Sequence, residues 1–193
     1  MQHFSWQGPV HRARICLVPL LITIVGPIAA GKNTVAELIA ERCVGSGRTV
    51  VVADVDDVAF MLRPPERRAG LWLAAHKAHG ALVGQWMRSK VDFVVALGPI
   101  YDEDEQEALY GQLPIGAAPC KVLIDAPLAT TWQRVSADNS RGGSRQREFH
   151  ERAHARYRSL LPGIPVDMRF DSSTSTAAEI ADAICRAVGV TVT

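Results

Sequence analysis

Hydrophobic residues run almost unbroken at Leu20–Val25 (LLITIV), residues 49–53 (TVVVA), Phe93–Leu97 (FVVAL) and residues 121–125 (KVLID). A strand with one wet face alternates apolar and polar positions. A continuous run of β-branched residues marks a strand buried on both faces, as in parallel sheets. A fifth strand is predicted at residues 166–170. Helical spacing fills the gaps. Val35, Leu38, Ile39 and Cys43 share one stripe, and Gly45 and Gly47 close that helix. A short helix follows the second strand and stops before Pro64 and Pro65. Residues 66–90 predict one long helix with Leu71, Ala75, Ala78, Leu82 and Trp86 facing inward, weakened by Gly80 and Gly84. Asp102 with Glu105, and Thr176 with Glu179, have the spacing of capping boxes. Pro127 suits the first turn of a helix bearing Leu128, Trp132 and Val135. A basic helix reaches to about residue 161, and Ile180, Ile184 and Val188 face inward from the last helix.

Strands alternating with helices mean βαβ units: a mostly parallel sheet with helices on both faces. A chain of 193 residues suits one domain. Residues 1–14 show neither periodicity and are expected to be a flexible extension, with Trp6 as its one candidate for docking; residues 15–193 form the domain. The apolar run from Ile15 to Val25, preceded by Arg12 and Arg14, imitates a signal peptide, with Ala29 and Ala30 as a cleavage site. Cleavage there would destroy the loop described next. The run is also too short to span a bilayer. Ligands of such sheets bind at the carboxyl ends of strands, so Gly26, Asp54, Asp56 and Gly98 are positional candidates.

Composition narrows the function. Apolar residues make up 48% and charged residues 21%, a globular balance, and the formal net charge is +1. No bulk attraction to nucleic acid or membrane follows from that balance. Cys16, Cys43, Cys120 and Cys185 form no CxxC pair and read as reduced cysteines of a cytoplasmic protein.

Gly26-Pro27-Ile28-Ala29-Ala30-Gly31-Lys32 fits GxxxxGK between a buried strand and a helix. Such a loop turns its backbone N–H groups inward as an anion nest, at the positive end of a helix, with a lysine for the β- and γ-phosphates. Gly26, Ala29, Ala30, Gly31, Lys32, Asn33 and Thr34 are therefore candidate nucleotide-binding residues. Asn33 stands where the strict motif places a Mg²⁺-ligating hydroxyl, with Thr34 next. GPIAAGKNT resembles the loop of adenylate and cytidylate kinases, in which the residue after lysine also lacks a hydroxyl. That resemblance keeps nucleotide binding and leaves Mg²⁺ ligation open.

Asp54-Val55-Asp56 resembles the Asp-x-Asp that shikimate kinase and related small-molecule kinases carry after the second strand. The resemblance implies Asp54 as a Mg²⁺-side carboxylate and Asp56 as base or orienter for the acceptor hydroxyl. Strand alternation would point the two the same way, and helix capping by Asp56 or Asp57 is the structural alternative. Arg134, Arg141, Arg145 and Arg147 flank Gly142-Gly143-Ser144. They are similar to the arginines of a kinase lid, here residues 139–147, with Arg134 on the nucleotide and Arg141 and Arg145 on the transferring phosphate. Arg156 lies where shikimate kinase has a substrate-contacting arginine. The resemblance spans residues 20–190 and implies a P-loop NTPase fold with an Arg-rich lid, and transfer of the ATP γ-phosphoryl group to a hydroxyl or a phosphate of a small molecule with Mg²⁺. Shikimate itself does not fit: this chain has only Gly98-Pro99 after the third strand and no Arg-Pro-Leu in the lid.

Two other readings stand beside it. One is a nucleotide-binding module without transferase activity. The other is a zinc hydrolase, because His150-Glu151-Arg152-Ala153-His154 spells HExxH; the surrounding arginines oppose a dication there. Trp72, His76 and Trp86 are expected to line the acceptor pocket, and the acidic run at residues 102–105 to be a solvated helix start.

Overall fold

The structure, a computed structural model, describes residues 18–63, 70–139 and 141–191. Its strands are β1 (Leu20–Val25), β2 (Val50–Asp54), β3 (Phe93–Leu97), β4 (Cys120–Asp125) and β5 (Met168–Asp171). They form one sheet in the order β2-β3-β1-β4-β5, and every neighbouring pair is parallel. Ile22 is in register with Val95 on one side and Cys120 on the other.

The helices are α1 (Lys32–Gly45), α2 (Val55–Phe60), α3 (Trp72–Trp86), α4 (Glu103–Tyr110), α5 (Leu128–Ala137), α6 (Arg147–Leu160) and α7 (Ala177–Ala187). Strand alternation decides which helix packs where. Ile22, Ile24, Val95, Val122 and Ile124 meet Val35 and Ile39 of α1 and Ile180 and Ile184 of α7. Leu21, Val94, Ala96 and Leu123 face the other way, onto Val83 of α3, Leu109 of α4 and Tyr157 of α6. Both capping boxes form, at Asp102/Glu105 and Thr176/Glu179.

The inward face of α3 differs from expectation. Leu71, Leu82 and Trp86 are exposed, Trp86 at 38%, and the buried positions are His76, His79, Gly80, Val83 and Gly84. The glycines explain the rotation. A Cβ on Gly80 would stand 1.9 Å from the Ala108 carbonyl oxygen, and one on Gly84 2.5 Å from that of Gln112. The side-chain-free stripe lets α4 approach closely, so the tightest packing face is the least hydrophobic in sequence.

The expected start of this helix, at residues 66–69, lies outside the described residues, as do the extension at residues 1–14, Trp6 and Cys16. Cys43, Cys120 and Cys185 are free and buried. No helix among the described residues is long and apolar enough to cross a membrane.

Candidate active site

The loop from Gly26 to Lys32 is shaped by backbone demands that its sequence meets. Gly31 has φ +95°, and Ala29 adopts φ 61°, a left-handed conformation costly for alanine. At Gly26 a Cβ would lie 2.0 Å from the Ile124 carbonyl oxygen, so β4 leaves no room for one. Lys32 Nζ folds over the loop and donates to the carbonyls of Gly26, at 2.9 Å, and Pro27, at 3.0 Å. Burial pulls the Lys32 pKa down, while Asp56 and then Asp54 push it back up. The ammonium therefore has two carboxylates within electrostatic reach.

Those carboxylates arrive by a route strand alternation does not describe. β2 ends at Asp54 and α2 begins at Val55, so Asp56 and Asp57 lie in the first turn of a helix. Asp54 is its N-cap, accepting the Asp56 N–H at 3.0 Å. The capping role considered for Asp56 or Asp57 thus falls to Asp54. The other Asp54 oxygen accepts Asn33 Nδ2 at 2.7 Å. Asp56 follows in the first turn of α2, with its carboxyl group drawn toward the loop while the residue keeps an exposed side. Desolvation first and the neighbouring Asp54 second raise its pKa; Lys32 lowers it. Thr34 lies exposed in the first turn of α1.

Beside the loop opens a cleft of about 550 Å³, lined by Ala29, Ala30, Gly31 and Thr34, by Arg134 and Arg141, and by the segment from Ser172 to Thr176. Arg134 donates to the Ala29 carbonyl, to Ser172 Oγ at 2.9 Å and to the Ser172 carbonyl at 2.7 Å, joining the loop to the chain after β5. Sequence reasoning missed the Ser/Thr segment; its position after the last strand was the available signal. Arg141 pairs with Asp138 at 3.0 Å, and its charge is felt by Lys32 and Asp56. Arg145 ends a short 3₁₀ turn, Gly143–Arg145, and is exposed. Arg147 pairs with Glu151 and lies over the Trp132 ring.

A second polar cluster lies at the carboxyl end of β3. Tyr101 Oη donates to the Gly26 carbonyl at 2.5 Å, tying this end of β3 to the phosphate loop. Arg156 Nη2 donates to Asp102 at 2.6 Å and to Glu105 at 2.9 Å, with the guanidinium over the Tyr101 ring. Glu105 is 3% exposed, so the acidic run is solvated except at this residue, which turns inward to its cation. His76, edge-on to Trp72, faces the same carboxylate. Trp86 lies ten residues further along α3, roughly 15 Å away, and does not join them.

The HExxH histidines serve packing. His150 Nε2 meets Thr131 Oγ1 at 2.9 Å and His154 Nε2 meets the Ala126 carbonyl at 3.2 Å, both buried between α5, α6 and the sheet. Among the described residues no three His, Cys, Asp or Glu side chains group as metal ligands.

No protein-family model matches the sequence, and no curated protein matches it. Solved structures do. Shikimate kinase from Acinetobacter baumannii in complex with shikimate is 18% identical, covers 89% of this chain and 94% of its own, and superposes with a TM-score of 0.60. The Deinococcus radiodurans tunicamycin resistance protein is 17% identical, with 90% and 97% covered and a TM-score of 0.62. The Mycobacterium tuberculosis APS kinase in complex with AMPPNP and APS is 14% identical, with 89% and 98% covered and a TM-score of 0.62. The chain has the fold of the P-loop small-molecule kinases, a five-stranded parallel sheet between two helical layers, with the phosphate loop after its central strand.

Proposed function

We propose that the protein is a phosphotransferase that moves the γ-phosphoryl group of ATP onto a hydroxyl of a small molecule in the cytoplasm. The observation that carries this reading is the loop at the start of α1: Gly26 and Gly31 take positive φ, Lys32 Nζ lies over the Gly26 and Pro27 carbonyls, and Asn33 ties the Asp54 carboxylate beside it at 2.7 Å. Phosphoryl transfer asks little covalent chemistry of a protein. It asks for charge complementarity on the phosphates and an acceptor oxygen held in line.

In this reading the backbone from Gly26 to Lys32 cradles the phosphates, Lys32 neutralises their charge, and the cleft between Arg134 and Ser172–Thr176 holds the nucleoside. Arg141 and Arg145 belong to a lid over residues 139–147 and cover the transferring group. Asp56 orients the acceptor hydroxyl and takes its proton. The donor set suits Mg²⁺, a hard cation that prefers oxygen. Asn33 spends its amide nitrogen on Asp54, which leaves its amide oxygen, the Asp54 and Asp56 carboxylates and the Thr34 hydroxyl as ligands or as partners of bound water. When bound, the ion neutralises charge on the β- and γ-phosphates.

The test is ADP release measured over a panel of metabolites, nucleotides and antibiotics, with Lys32→Ala as control. Acceptor-dependent release in the wild type, lost in the variant, is expected. ATP binding with no acceptor phosphorylated would assign the chain to the non-transferring nucleotide-binding proteins.

A further inference from the structure

Two buried carbonyls hold the phosphate-loop lysine, and each of them has a second donor. Resting on the kinase reading above, we propose that Tyr101 is a positioning residue for phosphoryl transfer: its hydroxyl holds the Gly26 carbonyl and so frees Lys32 to move from the loop onto the phosphates.

The argument is a count of donors and acceptors. The Lys32 ammonium carries three N–H groups. Two of them go to the Gly26 and Pro27 carbonyls, at 2.9 and 3.0 Å. One is left, and the oxygens of two phosphate groups ask for more than one. Lys32 therefore has to give up at least one carbonyl. Gly26 and Pro27 are both buried, and a buried carbonyl stripped of its donor loses free energy. Neither is stripped here. The Pro27 carbonyl also accepts the Ala30 N–H at 3.2 Å, a bond internal to the loop. The Gly26 carbonyl also accepts Tyr101 Oη at 2.5 Å, from a residue 75 positions along the chain. A carbonyl oxygen has two lone pairs, so it takes both donors at once. Without the hydroxyl, Lys32 could leave Pro27 freely but not Gly26.

The surroundings of Tyr101 fix where that hydroxyl points. Its N–H donates to Glu105 Oε2 at 2.8 Å and its carbonyl accepts Gln106 Nε2 at 3.1 Å, so α4 holds the backbone on both sides. Its ring lies 5.4 Å from that of Tyr157 and beneath the Arg156 guanidinium, both on α6. The residue is 6% exposed. Burial first, then Tyr157, pushes its pKa upward, so the hydroxyl keeps its proton and remains a donor. A buried tyrosine needs some partner for its hydroxyl. What gives this one a task is that its partner is one of the lysine's two.

The test compares the full-length wild type with Tyr101→Phe, which keeps the ring against Tyr157 and Arg156 and removes only the hydroxyl. A non-hydrolysable ATP analogue is titrated calorimetrically with Mg²⁺. The variant is expected to bind it about fivefold more weakly, and equal affinities overturn the proposal. A hydroxyl that served packing alone would lower the urea midpoint and leave the affinity of the folded chain where it was. The second measurement needs no nucleotide. Urea midpoints are read for the wild type, Tyr101→Phe, Lys32→Ala and the double variant. Each single variant leaves the Gly26 carbonyl one donor and the double variant leaves it none. The loss in the double variant is therefore expected to exceed the sum of the single losses. Additive losses overturn the proposal. The two readings separate in the same samples. Failure of the wild type to bind the analogue removes the kinase function and this role with it, whereas normal wild-type binding with either contrary result removes only the role of Tyr101.

Discussion

Asn33 donates its side-chain amide to Asp54 at 2.7 Å, fastening the first turn of α1 to the end of β2. The residue that replaces the usual hydroxyl after the loop lysine thus holds the carboxylate that caps α2.

Asn33→Ala removes that tie and one oxygen donor together. The concentration of Mg²⁺ needed for tight binding of the non-hydrolysable ATP analogue is expected to rise by about tenfold, a loss of roughly 1.4 kcal/mol. Binding without Mg²⁺ should change little. Asn33→Ser supplies the hydroxyl of the strict motif and should restore part of the loss. Calorimetry over a Mg²⁺ series reads both variants; an unchanged Mg²⁺ requirement in Asn33→Ala removes Asn33 from the metal side.

Gly80→Ala separates helix propensity from packing, because the two predict opposite signs. In an exposed helix interior the change would stabilise by about 1 kcal/mol. Here the new Cβ would meet the Ala108 carbonyl at 1.9 Å, and both atoms belong to backbone that cannot swing away. Pushing α4 off α3 is expected to cost about 2–4 kcal/mol net. The urea midpoint checks it, and a stabilised variant would show that the close approach is not needed.

That position also marks where the sequence stops being legible. The strands could be read because a run such as Phe93–Leu97 needs burial on both faces to make sense. The phosphate loop was readable because its spacing has a backbone reason. The face of α3 was not: hydrophobic stripes assume that side chains make the contact, and at Gly80 and Gly84 backbone does. Asp54 and Asp56 were paired by strand alternation, and one residue of helix start at Val55 cancels that geometry. The Glu105–Arg156 pair joins α4 to α6, 51 positions apart in the chain, and no local pattern announces such a contact.

Acid should loosen the fold through its buried histidines. The His76 pKa falls from 6.5 to about 4, first because the ring is buried. Between those values the unfolded chain binds the proton and the folded chain does not, so stability falls as pH drops through that window. His79 and His150 are shifted the same way, each first by burial. Glu105 opposes them, since burial raises its pKa and the fold takes up that proton early. The His76 share is about 3 kcal/mol at most. Urea midpoints from pH 7 to 5 should fall less steeply in His76→Gln than in the wild type; parallel slopes would assign the acid sensitivity to other groups.

The last prediction concerns the carboxylate assigned to the acceptor. Three aspartates cluster at the start of α2, and their hydrogen bonds separate their tasks. Asp54 accepts from Asp56 N–H and Asn33, so its loss should disturb the helix start and the metal side at once. Of the carboxylates, Asp56 raises the Lys32 pKa most. Desolvation and Asp54 raise its pKa above the ordinary aspartate value of about 4, toward a group able to take a proton during transfer. Asp56→Asn keeps the shape and removes the base. ATP-analogue affinity is expected to stay within about threefold of wild type, while acceptor phosphorylation falls by roughly 10²–10⁴-fold. In the wild type the acid limb of the transfer rate should lie above pH 4 and vanish in the residual activity of the variant. Asp54→Asn should instead weaken analogue binding and Mg²⁺ dependence together, and Asp57→Asn should leave both nearly unchanged. Analogue affinity and turnover measured for the three variants at several Mg²⁺ concentrations decide among them. Full turnover in Asp56→Asn, or a transfer defect confined to Asp57→Asn, would move the acceptor base to a different carboxylate.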